Sequence, residues 1–82
     1  MIEIQINEAY IENLEENNNV EELLYLLDQV NSNEIKALII DALRKLNDSN
    51  SVNKLKTVLK SEIYSEIRMF IAETIEEIST KT

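Results

Sequence analysis

The 82-residue chain contains no cysteine, histidine, glycine, proline or tryptophan. Without cysteine and histidine it has no disulfide framework, no thiol nucleophile, no imidazole base and no ordinary zinc or haem site. Without glycine and proline it lacks the residues that supply positive φ and punctuate tight hairpins, so a strand-rich fold is not expected. Aromatic residues make up only 5%. A core must therefore come from Ile, Leu and Val, with Tyr10, Tyr25, Tyr64 and Phe70 as its few large pieces. No apolar run approaches the roughly 20 residues of a bilayer-spanning helix. The formal charge of −8 repels phosphate backbones and anionic lipid heads. Neither nucleic acid nor membrane is expected as a partner. Glu3 stands where a signal peptide would carry Lys or Arg, which predicts a cytoplasmic protein.

Asparagine takes over the punctuation. It clusters at Asn17, Asn18 and Asn19, at Asn31 and Asn33, and at Asn47, Asn50 and Asn53. Its short side chain tolerates left-handed backbone and caps helices. Between these clusters the apolar residues fall at helical spacing. Over residues 34–46, Ile35, Leu38, Ile39, Ala42, Leu43 and Leu46 form one stripe, and over 65–79 Ile67, Phe70, Ile71, Thr74, Ile75 and Ile78 repeat it. Shorter helices are predicted over 20–30, from Leu23, Leu24, Leu26 and Leu27, and over 52–60, from Leu55, Val58 and Leu59. Asn19 and Glu22 have capping-box spacing, and Asp48 is the matching candidate cap for the helix at 52. Residues 1–6, where Ile2, Ile4 and Ile6 alternate with polar residues, read as an extended lead-in or as a strand.

Laid on itself at an offset of 32, the sequence aligns without a gap: Val20 with Val52, Leu23 with Leu55, Glu34 with Glu66, Ile35 with Ile67, Lys36 with Arg68, Ile39 with Ile71 and Leu46 with Ile78. The offset holds across two helices and the loop between them, for charged as well as apolar positions. One further step back places Ile6, Tyr10, Ile11 and Leu14 on Leu38, Ala42, Leu43 and Leu46, so residues 7–16 read as half a repeat. Two-helix repeats of this length point to an α-solenoid.

The residues that carry the repeat, Glu34-Ile35-Lys36 and Glu66-Ile67-Arg68, then Asp41-Ala42-Leu43-Arg44-Lys45-Leu46-Asn47-Asp48 with Val52 and Leu55, resemble the short HEAT-like repeat of the phycobilisome lyase type. The resemblance covers residues 20–78. Asn47 stands where that family usually has Gly, Ser49 where Pro is frequent, and Thr74 precedes Ile75 in place of Ala. It implies an all-α fold: a short right-handed α-solenoid of about two and a half HEAT-like helical hairpins, five helices in a single domain over 1–82. The half repeat spans 7–16, repeat one 17–46 and repeat two 48–79. Because the motif marks a fold, lyase chemistry does not come with it.

Candidate catalytic groups reduce to carboxylates, hydroxyls, Lys and Tyr. Neighbouring acids such as Glu15 with Glu16 or Glu76 with Glu77 point about 100° apart on a helix and share neither a proton nor a metal. No Gly-rich loop cradles a phosphate. The chain is therefore expected to be no enzyme and to hold no cofactor and no metal. Charge is segregated: residues 1–34 hold nine acids and no base, and 35–60 hold six bases against Asp41 and Asp48. Such a distribution orients a charged partner.

In HEAT-like stacks the second helix of each hairpin lines the concave face. A helical wheel then turns Glu8 and Glu12 outward in the half repeat, Ala37, Ile40, Asp41 and Arg44 in repeat one, and Met69, Ala72, Glu73 and Glu76 in repeat two. Glu8, Glu12, Ile40, Arg44, Met69, Glu73 and Glu76 are the candidate partner-binding residues. The expected function is non-enzymatic binding of another protein, as an adaptor, a regulatory subunit or an immunity-type inhibitor. The alternative is an acidic nucleic-acid mimic that inhibits a DNA-binding or DNA-cleaving protein. With fewer than three full repeats, Ile63, Tyr64 and Phe70 leave an apolar end that a second copy would cover, so a homodimer is also expected.

Overall fold

Asn7 opens the first helix. Its side-chain oxygen accepts the Tyr10 amide at 3.0 Å, satisfying a donor that the first turn leaves without an intrahelical partner. The computed structural model describes residues 6–80, so the expected lead-in or strand lies outside the described residues except for Ile6, which packs half-buried against the core. Five helices follow: α1 (Glu8–Glu16), α2 (Val20–Gln29), α3 (Asn33–Leu46), α4 (Ser51–Ser61) and α5 (Ser65–Thr80).

The asparagines do the punctuating. Asn18 and Asn47 adopt left-handed backbone, with φ of 54° and 53°, where each chain reversal needs it. Asn19 caps α2 by accepting the Glu22 amide, and Ser32 caps α3 by accepting that of Ile35, both at 3.3 Å. Asp48 does not cap α4 in the expected way. Its carboxylate accepts the Asn50 amide at 2.8 Å and its carbonyl accepts the Ser51 hydroxyl at 2.7 Å, so it holds the turn ahead of the helix. Asn50, the residue before α4, makes no side-chain cap bond.

Two of the four helix boundaries keep an offset of 32, while α2 and α4 start at 20 and 51 and α3 and α5 end at 46 and 80. α2 and α4 end at 29 and 61, and α3 and α5 begin at 33 and 65. Three equivalent pairs share burial, Leu23 and Leu55, Ile39 and Ile71, and Ala42 and Thr74, all at or near zero exposure, whereas Ile40 is buried and its equivalent Ala72 exposed. Among the described residues, α3 packs against α1, α2 and α5, and α4 packs against α2 and α5. The body measures 41 × 28 × 16 Å between Cα extremes, the smallest dimension about that of two helices in contact.

Two expectations need correction. Ile40, placed outward by the helical wheel, is fully buried in the core. Neighbours on both flanks of α3 leave it only a narrow outer strip, and Ile40 falls beside that strip. The second correction concerns the aromatics. Tyr10 and Phe70 pack half-buried on the core, whereas Tyr25 and Tyr64 are exposed.

Candidate functional site

Met69, Glu73 and Glu76 stand on the solvent side of α5, together with Glu66 and Ala72. At 100° per residue, positions 66, 69, 73 and 76 share one stripe, and the opposite positions 67, 71, 74 and 78 are buried. Met69 is 63% exposed among these carboxylates. Glu66, Glu73 and Glu76 have no ion-pair partner among the described residues.

Arg44 lies half-buried on α3 and ties this stripe to its neighbour. Its guanidinium meets the Asp41 carboxylate at 2.5 Å and reaches Glu77 on α5 at 3.6 Å, and Lys45 reaches Asp41 at 3.2 Å. Burial alone would raise the Asp41 carboxyl, but the hydrogen bonds from Arg44 and Lys45 and their charges outweigh it and hold it below its ordinary 3.8. Glu8 and Glu12 are exposed on α1, and no ion pair or hydrogen bond among the described residues joins them to α5. Of the seven candidates, Met69, Glu73 and Glu76 are therefore brought together, Arg44 borders them, Glu8 and Glu12 stand apart, and Ile40 is withdrawn.

Beyond the N-terminal end of that stripe lies a cleft of about 510 Å³. Its walls come from the end of α2, the start of α3 and the α4–α5 connection, and its apolar lining is Leu27, Val30, Val58, Ile63 and Tyr64. The connection is only three residues long, and its middle residue, Ile63, is 80% exposed. A buried ion pair fixes it. Lys36 meets Glu62 at 3.0 Å, with the two side chains 15% and 4% exposed. The other Glu62 oxygen accepts the Tyr64 amide at 3.2 Å, and the Lys36 ammonium sits 5.9 Å from the centre of the Tyr64 ring. Burial pushes the Glu62 carboxyl up, but the hydrogen bond from Lys36, those from the Tyr64 and Ile63 amides, and the Lys36 charge pull it below its ordinary 4.5. On the opposite wall Asp28 pairs with Lys54.

Glu62 escaped the sequence reading, since a lone acid in a loop looks solvated. A signal was present in the sequence: at the offset of 32, Val30, Asn31 and Ser32 align with Glu62, Ile63 and Tyr64, so an acid and two large apolar residues stand where the earlier segment has one apolar and two small polar residues. Among the described residues no group of three or more carboxylates is placed to hold a metal, and no helix is long and apolar enough to cross a membrane. No family model, no curated protein and no solved structure matches the chain.

Proposed function

We propose that the chain is a cytoplasmic, non-enzymatic protein-interaction module, a short right-handed HEAT-like stack of two and a half hairpins whose recognition surface is the exposed stripe of α5 with Arg44 at its edge. The observation that carries the reading is Met69, a large apolar side chain 63% exposed beside Glu66, Glu73 and Glu76, which have no ion-pair partner among the described residues. Such a stripe suits a partner that brings its own apolar contact and its own positive charge. The stack itself draws support from the contacts of α3 with α1 and α5, from those of α2 with α4, and from the ends of α2 and α4 and the starts of α3 and α5, which keep the offset of 32.

The test is affinity capture from a lysate of the source organism with three baits: wild type, Met69→Asp, and Tyr25→Ser, which alters an exposed residue on α2. A partner retained by wild type and Tyr25→Ser and lost by Met69→Asp supports the surface. Identical recovery by all three removes it. The second reading, a nucleic-acid mimic, draws on the exposed carboxylates Glu8, Glu12, Glu73 and Glu76. It requires their replacement by Lys to abolish binding while Met69→Asp leaves binding intact.

A further inference from the structure

We propose that the open flank of α4 and α5 receives helix α1 of a second copy, so that the chain associates head to tail through ion pairs between two different faces. This surface is separate from the exposed stripe of α5 and does not depend on it.

Four of the described bases are taken within the chain: Lys36 by Glu62, Arg44 and Lys45 by Asp41, and Lys54 by Asp28. The other three, Lys56, Lys60 and Arg68, are exposed and have no ion-pair partner among the described residues. Helix geometry gathers them on one side of the molecule. At about 100° per residue, Lys56 and Lys60 lie about 160° and about 120° around α4 from Lys54, whose pair with Asp28 marks the side facing α2. Arg68 lies about 180° around α5 from Glu77, whose contact with Arg44 marks the side facing α3. Lys60 is in the last turn of α4 and Arg68 in the first turn of α5, so both stand near the α4–α5 connection.

Burial also stops at this flank. Ile40, one turn before the Arg44 that reaches α5, is fully buried, whereas 32 positions later Ala72 is exposed. Leu43 is fully buried, and its counterpart Ile75 is only half-buried. α5 packs against α3 and α4 and leaves the side carrying Arg68, Ala72 and Ile75 uncovered.

Three unmatched cations along a partly covered apolar seam suit an acidic helix, and the chain itself carries one. α1 exposes Glu8, Glu12 and Glu16 along one stripe, none of them in an ion pair among the described residues, and residues 1–34 contain no base. Successive carboxylates of that stripe are about 6 Å apart along the axis, the same rise as from Lys56 to Lys60, so two pairs form in register with Arg68 beside them. At about 0.1 M salt, charges more than roughly 10 Å apart are screened, so the groups that face each other count for more than the net charge of −8 on each chain. Because the two faces differ, a bound pair still offers one of each kind, and association continues beyond a dimer.

The experiment is analytical ultracentrifugation of the full chain, up to millimolar concentration, at about 50 and about 500 mM salt. Three double variants accompany it, all at exposed positions and each checked for folding by thermal melt: Glu12→Lys with Glu16→Lys, Lys56→Glu with Arg68→Glu, and Glu73→Lys with Glu76→Lys as a control of equal charge change on α5. Expected for wild type is a mean mass above that of one chain at low salt, rising with concentration and returning to monomer at high salt. The first two variants should self-associate at least about tenfold more weakly, and the control should match wild type. An equimolar mixture of the first two should recover association, because one retains the basic flank and the other the acidic helix. A monomeric wild type at low salt, association unchanged in either of the first two variants, an equal loss in the control, or no recovery on mixing overturns the proposal.

Discussion

Thr74 is fully buried and its hydroxyl has no hydrogen-bond partner among the described residues, whereas 32 positions earlier the chain holds the buried Ala42. A buried, unpaired hydroxyl costs about 1 kcal/mol or more, and Val has nearly the same shape. Thr74→Val should therefore raise unfolding stability by about 1 kcal/mol in urea titration, with an unchanged denaturant slope. The Lys36–Glu62 pair makes the opposite case. Removing the cation alone, as in Lys36→Met, strands a buried carboxylate and should cost about 3 kcal/mol, most of it recovered when Glu62→Leu is added. The pair also sets a pH dependence. Because the folded Glu62 carboxyl lies below its ordinary 4.5, its contribution is complete above that value and is lost as pH falls through the lower folded value. Thermal melts should show wild type more stable than Glu62→Gln at pH 7, with the gap closing as the solution is acidified below about 4.5.

At the scale of elements, the helices were legible because their signals are local. The stripes at 35, 38, 39, 42, 43 and 46 and at 67, 71, 74 and 78 face inward as their period requires, and Asn7, Asn19 and Ser32 cap as their side chains allow. Asn47 ends α3 in left-handed backbone, a conformation Gly adopts at lower cost. Asn47→Gly should stabilise by up to about 1 kcal/mol, and Asn47→Val should destabilise by about 1–2 kcal/mol; paired thermal melts check both. Ile40 shows where local reasoning stops. A wheel drawn for a helix with one buried side leaves it outside, but α3 has neighbours on both flanks. Ile40→Ala should therefore behave as a core truncation and cost about 3 kcal/mol in the same melts.

For the whole molecule, part of the segregated charge of the sequence is taken up by internal ion pairs. Many of the bases of residues 35–60 are consumed internally: Lys36 by Glu62, Arg44 and Lys45 by Asp41, and Lys54 by Asp28. The Asp28–Lys54 pair joins α2 to α4 and the Lys36–Glu62 pair joins α3 to the α4–α5 connection, whereas Arg44 and Lys45 meet Asp41 within α3. What remains outside is largely acidic, including Glu8, Glu12, Glu66, Glu73 and Glu76. Association with a basic partner should then weaken as salt is raised from about 50 to about 500 mM, mainly through a slower on-rate measured by surface plasmon resonance.

The amino-acid sequence by itself determined that this chain is helical, where its five helices start and stop, and most of the stripe that each turns inward. Each of these follows from interactions within a few residues, where backbone geometry leaves little choice. Tertiary structure alone decided that Ile40 is enclosed and that Glu62 finds Lys36 across 26 positions of chain. It also decided that Tyr64 lines a cleft shared by the end of α2, the start of α3 and the α4–α5 connection. Those outcomes depend on the side from which each helix is approached by its neighbours. That is set by packing between segments far apart in the chain, which no local period encodes.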